Sequence, residues 1–211
     1  EVVELMGLTH LLKHDPQVLS GGEKQRVAIG RALVRDAKVF LFDEPLSNLD
    51  AKLREEMQLE LHKIQRTIGT TTILVTHDQS EALALSDRVV VLQQGKIEQI
   101  DTPFNIYEHP QTPFVSSFLG KTNQLQGQVS KLTEQGAEID LGKLTVSVQA
   151  HDLTIGQSVN LSLRPEKIIF AAANKGNING IICNRVFLGN QWIYQLETAL
   201  GDFLVLQPNH S

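Results

Sequence analysis

The sequence predicts an α/β unit built on a parallel sheet, followed by a small all-β unit. Residues 1–101 alternate helical and strand patterns. Beyond them the chain breaks into short alternating runs separated by Gly, Asn and Asp. With 211 residues, 41% of them hydrophobic and 20% charged, the chain can hold one large domain or two small ones, each with a packed core.

Taken in order, the first element is a helix over Leu19–Leu33 (LSGGEKQRVAIGRAL), where Ser20 caps the start and Glu23 completes a capping box. Val39–Phe42 is a continuous apolar run, the pattern of a strand buried on both faces. Ala51–Ile68 keeps helical spacing through Leu53, Met57, Leu61, Ile64 and Ile68, with Asp50 as its cap and Gly69 as its stop. Thr71–Thr76 and Arg88–Leu92 read as further buried strands. Between them Asp78 opens a helix, with Glu81 placed for a second capping box. Strand, helix, strand, helix, strand predicts right-handed crossovers and a sheet covered on both sides. Gln94-Gly95 then turns the chain into a strand over Lys96–Ile100. Residues 102–124 form a connector with two short helical patterns, around Phe104–Tyr107 and Phe114–Leu119, punctuated by Pro103, Pro110 and Pro113. From residue 125, strands are expected at 125–131, 137–141, 143–148, 158–164, 178–188, 191–197 and 202–207, the spacing of a small barrel or sandwich.

Composition excludes several functions. Lys plus Arg is 19 against 24 for Asp plus Glu, a net charge of -5, which disfavours nucleic acid as a partner. The single cysteine, Cys183, rules out an intrachain disulfide or a multi-thiolate metal site, and is expected as a small buried residue. No apolar stretch approaches the ~18 residues that span a bilayer, and no signal peptide opens the sequence, so a cytosolic protein is expected. His10, His14, His62, His109, His151 and His210 show no metal-ligand spacing in a suitable setting.

Four segments carry chemistry. Ser20, Gly21 and Gly22 leave bare amides at the positive end of a helix dipole, an arrangement suited to phosphate. Asp43 and Glu44 follow a buried strand, where ligands bind in open α/β sheets. Alternation along the strand points the two carboxylates differently. One can hold Mg²⁺ through water while the other accepts a proton from a nucleophilic water. Ser47-Asn48-Leu49-Asp50 is a turn with a helix cap, and His77 ends the strand that reaches the same sheet edge as Asp43 and Glu44.

These four segments, in this order, resemble the second half of an ATP-binding cassette (ABC) ATPase. LSGGEKQ resembles the signature motif, VFLFDE the Walker B strand, SNLD the D-loop and VTHD the switch-histidine region. The stretch from Ser80 through Gly120 resembles the importer branch that serves sugars, polyamines, phosphate esters or ferric iron. Leu161–Glu166 and Val186–Gly189 resemble segments of that branch's OB-like (TOBE) domain. The resemblance implies a partial P-loop NTPase (RecA-like) sheet with a helical-subdomain remnant, then the all-β TOBE domain. The implied domains are 1–101 (nucleotide-binding), 102–124 (connector) and 125–211 (TOBE, incomplete).

The family's chemistry implies ATP and Mg²⁺ as cofactors. Ser20, Gly21 and Gly22 would contact the γ-phosphate of ATP held by a second, head-to-tail cassette, with Gln25 lining the same surface. Asp43 would position Mg²⁺, Glu44 would act as general base, His77 would touch the γ-phosphate and Asp50 would couple the two sites. The implied partners are a second cassette in a homodimer, transmembrane permease subunits and, indirectly, a solute-binding protein. The implied location is the inner face of the cell membrane.

The family's phosphate-gripping loop has the pattern G-x-x-x-x-G-K-[ST]. Gly120-Lys121-Thr122 is the sequence's G-K-[ST], but Val115 stands where that loop needs its first glycine, so it is read as a decoy. The resemblance therefore implies a C-terminal fragment lacking Walker A, with the loop before Glu1 and further strands after Gln207-Pro208. Such a chain is expected to be inactive alone and only marginally stable over residues 1–101. Two other functions compete: a non-transport ABC ATPase, and a non-catalytic ligand- or regulator-binding β module. Against an oligonucleotide-binding module stand only six basic side chains in residues 125–211, and the expectation that Phe170, Phe187, Trp192, Tyr194 and Phe203 are core residues.

Overall fold

The structure is a computed structural model that describes residues 2–35, 37–150, 152–172 and 175–209; His151 and His210 lie outside them. The chain forms two compact units, Glu1–Pro110 and Gln111–Ser211.

In the first unit, α1 (Val2–Leu5) leads through two single 3-10 turns to α2 (Gly21–Leu33). Ser20 caps α2 and forms the expected capping box with Glu23. Then come β1 (Val39–Asp43), α3 (Ala51–Ile68), β2 (Thr71–Val75), α4 (Gln79–Leu85), β3 (Val89–Gln93), β4 (Lys96–Asp101) and α5 (Pro103–Glu108). Asp50 accepts from the Leu53 amide to start α3, and Gly69, at φ 66°, ends it in the left-handed conformation that favours glycine. The core joins Met6 and Leu8, Ile29 of α2, Leu46 and Leu49 of the loop after β1, and Met57, Leu61 and Ile64 of α3.

β1 and β2 pair in parallel, Val39 opposite Thr71 through Asp43 opposite Val75. The sheet differs from expectation in two ways. β3 pairs with β4 in an antiparallel hairpin and does not join β1 and β2. The sheet is also covered on one side only. Phe40 and Phe42 share a face toward Leu33 of α2 and Leu61, Ile64 and Ile68 of α3. The opposite face leaves Leu41 73% exposed, with Val39, Ile73 and Val75 also open. Burial on both faces needs a layer on each side, and the helices packed on this sheet lie on one side. The β3–β4 turn has positive φ at Gln94 (50°) and Gly95 (76°), the two-residue turn that fits strand twist.

The second unit opens with α6 (Pro113–Phe118), capped by Thr112. Seven strands follow: β5 (Asn123–Thr133), β6 (Gly136–Asp140), β7 (Thr145–Val148), β8 (Ser158–Leu163), β9 (Gly180–Phe187), β10 (Gln191–Thr198) and β11 (Gly201–Pro208). All seven expected strands form. They make two antiparallel sheets, β7-β6-β5-β8 and β11-β10-β9. Val129, Ala137 and Ile139 are the buried centre of the first sheet.

Buried Asn123 stitches the two sheets together. Its Nδ2 donates to the carbonyls of Leu163 (3.3 Å) and Leu204 (2.8 Å), while its Oδ1 accepts from the Leu204 amide (2.7 Å). Arg164, also buried, donates to the carbonyls of Ser116 (2.9 Å) and Lys121 (3.4 Å) at the end of α6.

Two expectations fail here. Cys183 is exposed rather than buried, because β9 is an edge strand and its register breaks at Cys183. Asn184 pairs with Gln195 and Ile182 with Leu196, leaving the cysteine between them unpaired. Of the five aromatics, Phe203 is core, but Phe170 and Phe187 are about half exposed. Phe187 packs on Trp192 (centroids 4.6 Å apart) and Phe170 meets Tyr194 edge to face (5.0 Å).

Candidate functional site

The C-terminal edge of the β1–β2 sheet gathers three of the predicted residues. Asp43 is the last residue of β1 and exposed. The Glu44 amide donates to the Val75 carbonyl (2.8 Å), extending the pairing one step beyond the strand. Glu44 itself turns into the left-handed region, at φ 46°. Its Oε1 meets His77 Nδ1 at 3.1 Å. Both side chains are open to solvent, so the pair faces outward.

The other predicted residues sit at two helix starts. In the Ser20 capping box, Ser20 N and Oγ both donate to Glu23 Oε2 (2.8 Å each), and the Glu23 amide donates to Ser20 Oγ (3.4 Å). The Ser20 amide, and then its hydroxyl, hold the Glu23 carboxyl below its ordinary value. The amides of Gly21 and Gly22, as the first two of α2, have no partner within the helix and remain as donors. Gly22 is buried; a Cβ there would stand 2.9 Å from Leu53 Cδ1. A Cβ on Gly21 would meet Leu49 at 3.6 Å. Gly21 and Gly22 therefore lie against Leu49 and Leu53, the residues flanking exposed Asp50 in sequence. Gln25 is half-buried on α2. The structure thus joins Glu44 with His77, and Ser20–Gly22 with the start of α3.

Sequence reasoning missed the residues that hold the His77 loop. Thr76 Oγ1 donates to buried Glu81 (2.7 Å) and accepts from the Asp78 amide (2.9 Å). Glu81 therefore serves Thr76 in place of the expected capping box. Asp78 caps α4, accepting from the amides of Ser80 and Glu81. The Ser80 hydroxyl is the main cause that keeps the Asp78 carboxyl below its ordinary value, with those amides and Arg54 adding to it against a raising effect of burial. Arg54 of α3 reaches Asp78 Oδ2 (3.4 Å) and the Leu49 carbonyl (3.1 Å). A signal for Arg54 was present: α3 has no acid in its first turn, and a cation near a helix start opposes the dipole unless something else holds it there.

Among the described residues no cluster of three or more His, Cys, Asp or Glu side chains could hold a metal ion. Mg²⁺ needs no such cage, since it keeps several waters and takes one or two carboxylates plus substrate phosphates; an exposed Asp43 at a strand end fits that requirement. Gly120-Lys121-Thr122 follows α6 and runs into β5, so it opens no helix, and the Lys121 carbonyl is engaged by Arg164. Among the described residues no helix is long and apolar enough to cross a membrane.

A family model described as "ABC transporter" matches residues 1–47, and one described as "TOBE domain" matches residues 161–211. The chain is 44% identical over 202 residues to the spermidine/putrescine import ATP-binding protein PotA of Pseudomonas aeruginosa, an alignment covering 92% of this chain and 56% of that protein. It is 48% identical over 170 residues to the sn-glycerol-3-phosphate import ATP-binding protein UgpC of Psychromonas ingrahamii, covering 80% and 44%. It is 39% identical over 216 residues to the maltose/maltodextrin import ATP-binding protein MalK of Vibrio vulnificus, covering 99% and 58%. The chain spans about half the length of the curated relatives it matches.

Proposed function

We propose that the chain belongs to the ABC transporter family, among its importer ATP-binding subunits, and supplies the signature-bearing and water-activating part of a shared ATP pocket. The observation that carries this reading is the Glu44–His77 pair at the sheet edge beside Asp43. Glu44 accepts a proton from the attacking water as general base. His77 contacts that carboxylate through Nδ1 at 3.1 Å and so positions it. Its side chain is 71% exposed, which leaves the ring open to a γ-phosphate oxygen in this reading. Asp43 would hold Mg²⁺ through water. When bound, Mg²⁺ neutralises charge developing on the phosphates.

Ser20 and the amides of Gly21 and Gly22 face the γ-phosphate of ATP held by a partner cassette, Gln25 lines the same surface, and Asp50 couples the two sites. We assign residues 1–101 to the nucleotide-binding domain, 102–124 to the connector and 125–211 to the TOBE domain. The partners in this reading are a second cassette, permease subunits at the inner face of the membrane and, through them, a solute-binding protein; nucleic acid is not among them.

The chain by itself turns over no ATP in this reading, because none of its 211 residues forms a G-x-x-x-x-G-K-[ST] loop. Purified chain with ATP and Mg²⁺ should release no phosphate; release abolished by Glu44→Gln would overturn that statement. In the same assay mixture, the chain should associate with the Pseudomonas aeruginosa PotA relative in an ATP-dependent way. Ser20→Arg should abolish that association. A folded chain showing no ATP-dependent association would sink the shared-pocket reading.

A further inference from the structure

We propose that Arg54 is a positioning residue that ties the turn before α3 to the loop carrying His77. The proposal rests on the reading of Asp50 and His77 given above. Its geometry involves one guanidinium and two loops. Nη2 donates to the Leu49 carbonyl, immediately before Asp50, at 3.1 Å. Nη1 reaches Asp78 Oδ2, immediately after His77, at 3.4 Å. The backbone completes the tie, since the Arg54 amide donates to the Asp50 carbonyl (2.9 Å).

On the far side of His77, Thr76 is held by buried Glu81, so the histidine is fixed from both neighbours and its ring is left to meet Glu44. A planar fork reaches a carbonyl and a carboxylate at once from a fixed stem with separate nitrogens, whereas a lysine carries its donors on one nitrogen. The cation is not there for the helix, because it lies near the positive end of α3. Nor are all its donors satisfied: Nε is buried without an acceptor, so the side chain keeps an uncompensated polar group in order to hold the two it does bond. A shift of the Ser47–Asp50 turn must therefore drag the guanidinium, and through Asp78 move His77.

The test needs no nucleotide, so failure of the ATP-pocket reading leaves it measurable, and loss of the coupling leaves that reading standing. Imidazole carbon–proton spectra of the full chain report His77, assigned by His77→Gln. Asp50→Ala should move the His77 signal in the parent chain. In an Arg54→Met background the same change should move it by less than half as much, and Arg54→Lys should restore part of the response. Should Arg54→Met fail to fold, Asp78→Asn cuts the other end of the same tie and should give the same loss. An Asp50→Ala response of equal size with and without the tie would overturn the proposal, and so would no response in the parent chain.

Discussion

At Gly22 the backbone of α2 passes so close to α3 that an added Cβ would lie 2.9 Å from Leu53 Cδ1 and 3.3 Å from its Cγ. The motif leaves an amide bare there, and the structure adds a packing demand the motif alone does not reveal. Gly22→Ala should destabilise the first unit by about 1 kcal/mol, the overpacking cost less the gain in helix propensity. Urea unfolding checks this, and Leu53→Ala should reverse the sign of the Gly22→Ala effect. Asp78 gives a pH prediction. Its folded value lies below the ordinary 3.8, so the unfolded chain takes up the proton first as pH falls. Its stabilisation is present above about pH 4 and disappears as pH drops through the folded value. Asp78→Asn should lower the urea midpoint at pH 7, with the gap to the parent chain narrowing by pH 3.5; an equal gap at both would contradict the assignment. Asp78 as a helix cap was legible, since a cap acts within three residues. Its tie to Arg54 was not, because the two are 24 positions apart and nothing local in sequence links them.

The elements that the sequence specifies best are those whose signals are local. α3 runs from its cap at Asp50 to its stop at Gly69, both read from residue type, and the hairpin at Gln94-Gly95 follows from turn chemistry. Partner choice is a different matter. β3 has the same apolar character as β1 and β2, yet pairs with the strand a two-residue turn brings to it. Glu81 could have closed a capping box and instead took the Thr76 hydroxyl, an alternative that spacing does not exclude. Cys183 is exposed against the expectation from its type, because residue type says nothing of which strand lies at an edge. Asn123 is the clearest long-range element, since one side chain satisfies the amide and carbonyl of Leu204 and the carbonyl of Leu163. Asn123→Ala should cost about 2–3 kcal/mol by stranding buried backbone groups. Urea unfolding followed by Trp192 fluorescence measures it; a cost under about 0.5 kcal/mol would show that water replaces the amide.

Across the whole chain, two units with separate cores imply two separable unfolding events. The β1–β2 sheet has two strands and one open apolar face, whereas β5 lies between two partners. Amides of β1 and β2 should exchange at least about tenfold faster than those of β5 and β6. Equal protection in both units would argue against it.

The least comfortable backbone in the site belongs to Glu44, which holds a left-handed conformation that an L-residue with a long side chain adopts at a cost of order 1 kcal/mol. Glycine would rest there without effort. Pressure toward easier folding alone would thus replace a side chain that meets His77, so a glutamate at that bend would have to be maintained by the work it performs.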